Sequence, residues 1–373
     1  MTPSLYLVSV NPFAGKSLAA LAIGLHLREA GIRVGYFKPV GTLPHTVRGV
    51  TTDEDAFFIS ERLNPDAPLD ALCPVLLTPE FMSRALNGEL AELRARIRES
   101  YARVAAGRDV VIVGGVGTLS RGSLLGLSAP AIAELLGSKV LVLAKFVSQA
   151  SAEEVLLARR LLGDQYAGTI FNFVGPSEEE TLRGDMERYL EAHGTPVLGV
   201  IPRDELLSGI TVRELVEHLP AKMLCCDKAL DELVLHFVIG AMGVASAARY
   251  FRQLGDKAVI TGGDRADIQL AALQTPTKAI ILTGNIYPSA VITRRAQQLG
   301  VALLLAPHDT LTTVERVEQI AGRLRVRGSA KVERGRALFE KHVDLERIRA
   351  VIGLDGPPGA PSVTPATERA QTT

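Results

Sequence analysis

The 373 residues carry 41 basic and 41 acidic side chains, so no global field favours nucleic acid or an acidic membrane surface as a partner. Hydrophobic residues at 47% and charged residues at 22% describe a globular chain long enough for two cores. Its three cysteines, Cys73, Cys225 and Cys226, lack metal-ligand spacing and sequence neighbours bridge poorly, so a reducing, cytoplasmic setting is expected.

The apolar run Leu5 to Val10 is strand-sized and follows no basic stretch, so no signal peptide is expected. Up to residue 215, short β-branched runs alternate with amphipathic helices, the pattern of a doubly wound parallel sheet covered on both faces. Predicted strands are Leu5 to Ser9, Val34 to Phe37, Asp109 to Val113, Val140 to Ala144, Gly168 to Phe171 and Val197 to Ile201. Between the first two, Leu18, Leu21, Ala22 and Leu25 mark one helix face, which Gly31 ends.

A second, smaller α/β domain is expected over residues 216–326. It opens with a small-residue helix from Leu233 to about Tyr250, whose core, Val234 to Ala248, is too short to span a membrane. Strands follow at Ala258 to Thr261, Ala279 to Thr283 and Ala302 to Leu305, with helices near Pro288 to Leu299 and Thr312 to Leu324. Arg323 to Arg336 holds six basic residues and one acid without interleaved aromatics, which reads as a solvated helix end or linker. A C-terminal helical segment is expected over 327–354. The four prolines between Asp355 and Thr373 point to a disordered tail over 355–373.

The run Ser9-Val10-Asn11-Pro12-Phe13-Ala14-Gly15-Lys16-Ser17 ends a strand and opens a helix, the setting of a P-loop. Backbone N–H groups of such a loop converge on phosphate oxygens, and the helix N-terminus adds partial positive charge. Lys16 would reach the terminal phosphates and Ser17 would hold a divalent ion. The strict motif places its first glycine at Val10, where this chain has none. Lys38, just past the second strand, can face the same crevice, because ligands in open α/β sheets sit at the carboxyl ends of the strands. Asp53 and Asp55 offer carboxylates for magnesium, with capping of the next helix by Asp53 an equally good reading.

Ser9 to Ser17, Gly35 to Val40, Asp53 to Phe57, Asp109 to Gly115, Asn172 and Gly199 to Pro202 together resemble dethiobiotin synthetase-like domains. The likeness is closer still to the version that precedes the catalytic part of long bacterial phosphotransacetylases. Val259 to Ile268, with Thr261-Gly262-Gly263-Asp264-Arg265 at its centre, resembles the DRTGG domain that follows it in those proteins. The resemblance implies phosphate contacts from the loop that includes Asn11, Ala14, Gly15, Lys16 and Ser17, and a substrate or phosphate contact from Lys38. It also implies a base contact from Asn172 and magnesium at Ser17 and Asp55. The dethiobiotin synthetase pattern has a glutamate after the Asp109-to-Val113 strand, where this chain has Gly114, so the resemblance implies binding that can survive the loss and turnover that is not expected.

In the second domain, Gly262, Gly263, Asp264 and Arg265 are ligand candidates, or else a turn fixed by an Asp-Arg pair. Thr283-Gly284-Asn285 and Pro307-His308-Asp309-Thr310 end on the same side if their strands are parallel. Gly240, Ala241, Gly243, Ala245 and Ser246 suggest a close helix-helix contact, hence a homodimer or higher oligomer. The sequence thus leads to a regulatory or signalling protein that binds ATP or a related nucleotide with Mg2+, with phosphotransacetylase or another metabolic enzyme as partner. An ATP-dependent ligase or amidase of the dethiobiotin or cobyrinate type is the alternative. Acetyl transfer is not expected, since the domain that would carry it has no counterpart here.

Overall fold

Six runs rich in Val, Ile and Leu pair into one all-parallel sheet in the computed structural model, which describes residues 2–88, 92–324 and 329–354. The strands are β1 (Ser4–Ser9), β2 (Val34–Phe37), β3 (Val110–Gly114), β4 (Lys139–Lys145), β5 (Tyr166–Val174) and β6 (Val197–Pro202). Their order is β6-β5-β4-β1-β3-β2, with every neighbouring pair parallel. Every residue of β1, β2 and β3 is buried, as a sheet covered on both faces requires. Strand order reverses around β1, which lies between β4 and β3, and the crevice beyond its carboxyl end is where such sheets take ligands.

Helix α1 (Lys16–Glu29) buries Leu18, Leu21, Ala22 and Leu27, and packs against α2 (Glu54–Leu63). Between β2 and α2 the chain inserts a hairpin, Pro44–Val47 with Val50–Asp53, that the pattern of the sequence did not announce.

The chain divides into two compact units, one of residues up to Arg203 with those from Gly335 on, the other Asp204–Arg334. A break expected at residue 215 thus falls inside the second unit. The reason is local: Thr211 and Glu214 form a capping box on the helix Val212–His218, whose Val212 and Leu215 enter the second core. The C-terminal segment expected as a separate piece joins the first unit from Gly335 on. There Val343 bridges Gly199, and the Asp344 N–H donates to the Leu198 carbonyl at 2.8 Å. It is two helices rather than one, Ser329–His342 and Leu345–Val351, because Asp344 caps the second through the Arg347 N–H. The expected tail over 355–373 lies outside the described residues, as does part of the basic run from Arg323.

In the second unit, strands β7 (Lys222–Cys225), β8 (His236–Ile239), β9 (Lys257–Gly262), β10 (Thr277–Thr283) and β11 (Ala302–Leu305) form a sheet in the order β7-β11-β10-β9-β8. All pairs are parallel except β7 with β11. Alternate residues serve two cores: Ala258, Ile260 and Ile281 face one, Val259, Ile280 and Leu282 the other.

The helix expected from Leu233 to Tyr250 is not formed. Leu233–Val234 pairs with Ile210–Thr211, β8 pairs with β9, and a helix begins only at Val244 and runs to Gln253. The β-branched Val234, Val238 and Ile239 suit a pleated strand, and a sheet edge was open to take them. Gly240 lies against Thr261 and Ile268, where a side chain would collide. The five small residues therefore share no helix face, and the surface expected to hold a second copy is absent.

Candidate functional site

At the carboxyl end of β1, the loop from Val10 to Gly15 turns into α1. Gly15 has φ +97°, a left-handed conformation that costs glycine little and any other residue more. A Cβ at Gly15 would also meet the Asn172 side chain at 2.6 Å. Asn172 is committed to the loop: its Nδ2 donates to the Ala14 carbonyl at 3.0 Å, and its Oδ1 accepts from the Phe173 N–H at 2.8 Å. It buttresses the loop from β5 where the resemblance implied a base contact. Asn11 does the same from the other side, accepting from the Lys145 N–H at 2.9 Å and donating to Glu154 at 2.6 Å.

Lys16, the first residue of α1, donates to the Ser9 hydroxyl and to the Gly117 carbonyl, both at 2.6 Å. Burial, the ammonium of Lys38, and more weakly that of Lys145 lower its pKa to about 8 against an upward pull from Asp55. Lys16 thus sits where two further ammonium groups act on it, with Asp55 as a partial counterweight. Lys145, which ends β4, and Ser9 were not singled out in the sequence, since only the strand order carries β4 to β1. Ser17 follows in the first turn of α1.

Lys38 is 5% exposed, and its Nζ lies 2.6 Å from Asp53 and 3.3 Å from Asp55. Burial opposes its charge, but Asp55 and Asp53 outweigh burial and raise its pKa above the ordinary lysine value. Asp53 is fully buried. Besides Lys38 it accepts the N–H groups of Asp55 and Ala56 on one oxygen and those of Thr42 and Leu43 on the other. It is the N-cap of α2, so of the two readings open in the sequence, capping is the one realised for Asp53.

A magnesium ion fits these donors poorly. Gly114 ends β3 where the resemblance put an acid, and a Cβ there would overlap the hydroxyl of the buried Tyr36. Asp55 already accepts from Lys38 at 3.3 Å, which leaves the Ser17 hydroxyl as the other expected ligand. Beside the loop, a cavity of about 380 Å³ is lined by Val10, Thr118, Ser120, Glu154, Leu157 and Leu161.

In the second unit, the parallel β9, β10 and β11 do end on one side. Gly262 and Gly263 form a tight turn closed by Gln269, whose Nε2 donates to both carbonyls at 3.0 Å. Gly263 passes so close to the Ile286 carbonyl that a Cβ would collide with it. Arg265 pairs with Asp267 at 3.0 Å, while Asp264 is exposed, so the expected Asp264–Arg265 pair is replaced by one two residues on. His308 uses its carbonyl to accept from the Gly284 N–H at 2.7 Å. All three cysteines are free, with the Cys225 and Cys226 sulfurs 3.3 Å apart. No helix of the described residues is long and apolar enough to cross a membrane.

Comparison with known proteins divides the chain between residues 211 and 214, a few residues after the boundary of the compact units. Residues 3–211 match the family model of an AAA domain and residues 214–320 that of the DRTGG domain. The chain is 28% identical over 366 residues to a phosphate acetyltransferase of Synechocystis sp., covering 93% of this chain and 51% of that protein. It is 25% identical over 369 residues to the phosphate acetyltransferase of Nitratidesulfovibrio vulgaris, with the same coverage. The chain thus spans about half the length of the curated relatives it matches, and the resemblance to phosphotransacetylases read from its residues holds. Among solved structures, a ParA family ATPase from Chlorobium tepidum covers 56% of this chain and 87% of its own at 17% identity and TM-score 0.36. The CBS and DRTGG domains of a Clostridium perfringens pyrophosphatase cover 31% and 48% at 22% identity and TM-score 0.27. With more than half of its length matched, the chain belongs to the AAA-domain P-loop family and carries a DRTGG domain behind that domain.

Proposed function

We propose that the chain is a nucleotide-binding regulatory protein whose first unit holds the phosphates of a nucleotide such as ATP on the Gly15-Lys16-Ser17 loop. One observation carries the reading: Lys16 opens α1 at the end of β1, in a crevice it shares with Lys38 and Lys145. Loop N–H groups and the helix N-terminus would receive the phosphates, and Lys16 would leave Ser9 and Gly117 for a phosphate oxygen. The neighbouring 380 Å³ cavity lies within the ~300–1,000 Å³ range of small-molecule sites, room enough for the rest of the ligand.

The alternative, a ligase or amidase, would need Lys38 to stabilise an acyl phosphate, and Lys38 is already paired with two carboxylates. The regulatory reading also draws on the DRTGG domain and on relatives twice as long, in which a chain like this one would report nucleotide state to a phosphate acetyltransferase. Thermal unfolding with and without a panel of nucleotides tests it. A nucleotide at about 100 Kd stabilises by about 2.7 kcal/mol, and Lys16→Ala should lose most of that gain. A panel without any shift in the wild type would end the proposal.

A further inference from the structure

We propose that the site binds its nucleotide polyphosphate without needing a divalent cation, with the Lys38 ammonium standing where the metal would. The inference rests on the nucleotide-binding reading and concerns how that same site neutralises charge.

The geometry begins with Asp53 and Asp55, two carboxylates at the start of α2 that converge on one point. A divalent cation bridges such a pair in many phosphate sites, yet here the point is held by Lys38 Nζ, at 2.6 Å and 3.3 Å. Lys38 is anchored from both ends: its own N–H donates to the Leu72 carbonyl at 2.9 Å, and its side chain is buried at the end of β2. Seating a divalent metal on Asp55 would put two positive charges beside this ammonium.

The second acid that would complete a metal site is also excluded by packing. At Gly114, the last residue of β3, the Tyr36 hydroxyl fills the volume a side chain would need. Tyr36 is itself buried between its strand neighbours, so it cannot turn aside without opening the core. Asp53 has no lone pair to spare after five donors. What the crevice offers a polyanion is Lys16, with Lys38 and Lys145 each within electrostatic reach of it, and the N-terminus of α1, while Asp53 and Asp55 balance the charge of Lys38.

Isothermal titration of the full chain with ATP, and with GTP in parallel, in EDTA and in excess Mg2+ tests this. The expected affinities in the two buffers agree within about threefold. A gain of about tenfold or more on adding Mg2+ would overturn the inference and leave nucleotide binding standing, whereas binding in neither buffer overturns both. Lys38→Met frees both carboxylates and should create metal dependence of about tenfold. Should it fold and remain indifferent to Mg2+, Lys38 is not the stand-in. Should it fail to fold, the wild-type comparison alone decides.

Discussion

At the scale of single residues, the site is a set of commitments. Lys16 is a cation whose proton is loosely held, because burial and then Lys38 lower its pKa to about 8. A bound phosphate favours the ammonium, so the bound state holds that proton to higher pH than the free state. Between about pH 8 and the ordinary lysine value of 10.5, binding takes up a proton, and affinity falls as pH rises, by up to tenfold per unit. Nucleotide titrations from about pH 7.5 to 9.5 should show this decline, and Lys16→Arg should flatten it, since a guanidinium stays charged throughout. Gly114 is committed differently, to the Tyr36 hydroxyl it leaves room for. Gly114→Ala should cost about 1–3 kcal/mol in urea unfolding, the usual penalty of overpacking, and Tyr36→Phe in the same chain should recover part of it. Equal losses in both backgrounds would show that the hydroxyl is not what excludes the side chain.

At the scale of elements, α2 is held by a single acid. Asp53 caps its N-terminus, fastens the preceding loop through Thr42 and Leu43, and neutralises Lys38. Asp53→Ala would leave a buried ammonium with only the more distant Asp55, so a loss of about 3–5 kcal/mol in denaturant unfolding is expected. A loss below about 1 kcal/mol would mean that the cap is worth no more than an exposed one. The same scale separates what was readable from what was not. All six strands of the first sheet overlap β-branched runs bounded by turn residues, and β2 matches its predicted bounds, Val34 to Phe37. The stretch from Leu233 to Tyr250 misled because apolar and small residues without a turn signal suit a helix or a strand alike. Pairing partners decided it, and those are 20 or so residues away in β9.

At the scale of the whole chain, the first unit is closed by residues from both ends of the sequence. Gly335 packs on Leu18, Val343 bridges Gly199, and Phe339, Leu345 and Ile348 are buried. Each such side chain contributes about 1.5–3 kcal/mol when fully buried, against a typical domain stability of about 5–15 kcal/mol. A chain ending at Arg334 should therefore unfold at markedly lower temperature and lose any nucleotide-induced shift. An unchanged unfolding temperature by calorimetry would show that these helices are accessory.

The sequence alone determined the α/β class, the strand–loop–helix setting of Lys16, the order of the two domains and the lack of an acid at residue 114. These follow from periodicity, turn chemistry and residue identity, all of which act over a few neighbours. Only the tertiary structure decided what Lys38 and Asn172 hold, since each is bound by groups that a strand order or a loop brings in from elsewhere. It decided too why Gly114 is glycine, because Tyr36 reaches it across β2 and β3, 78 positions away in the chain and side by side in the sheet.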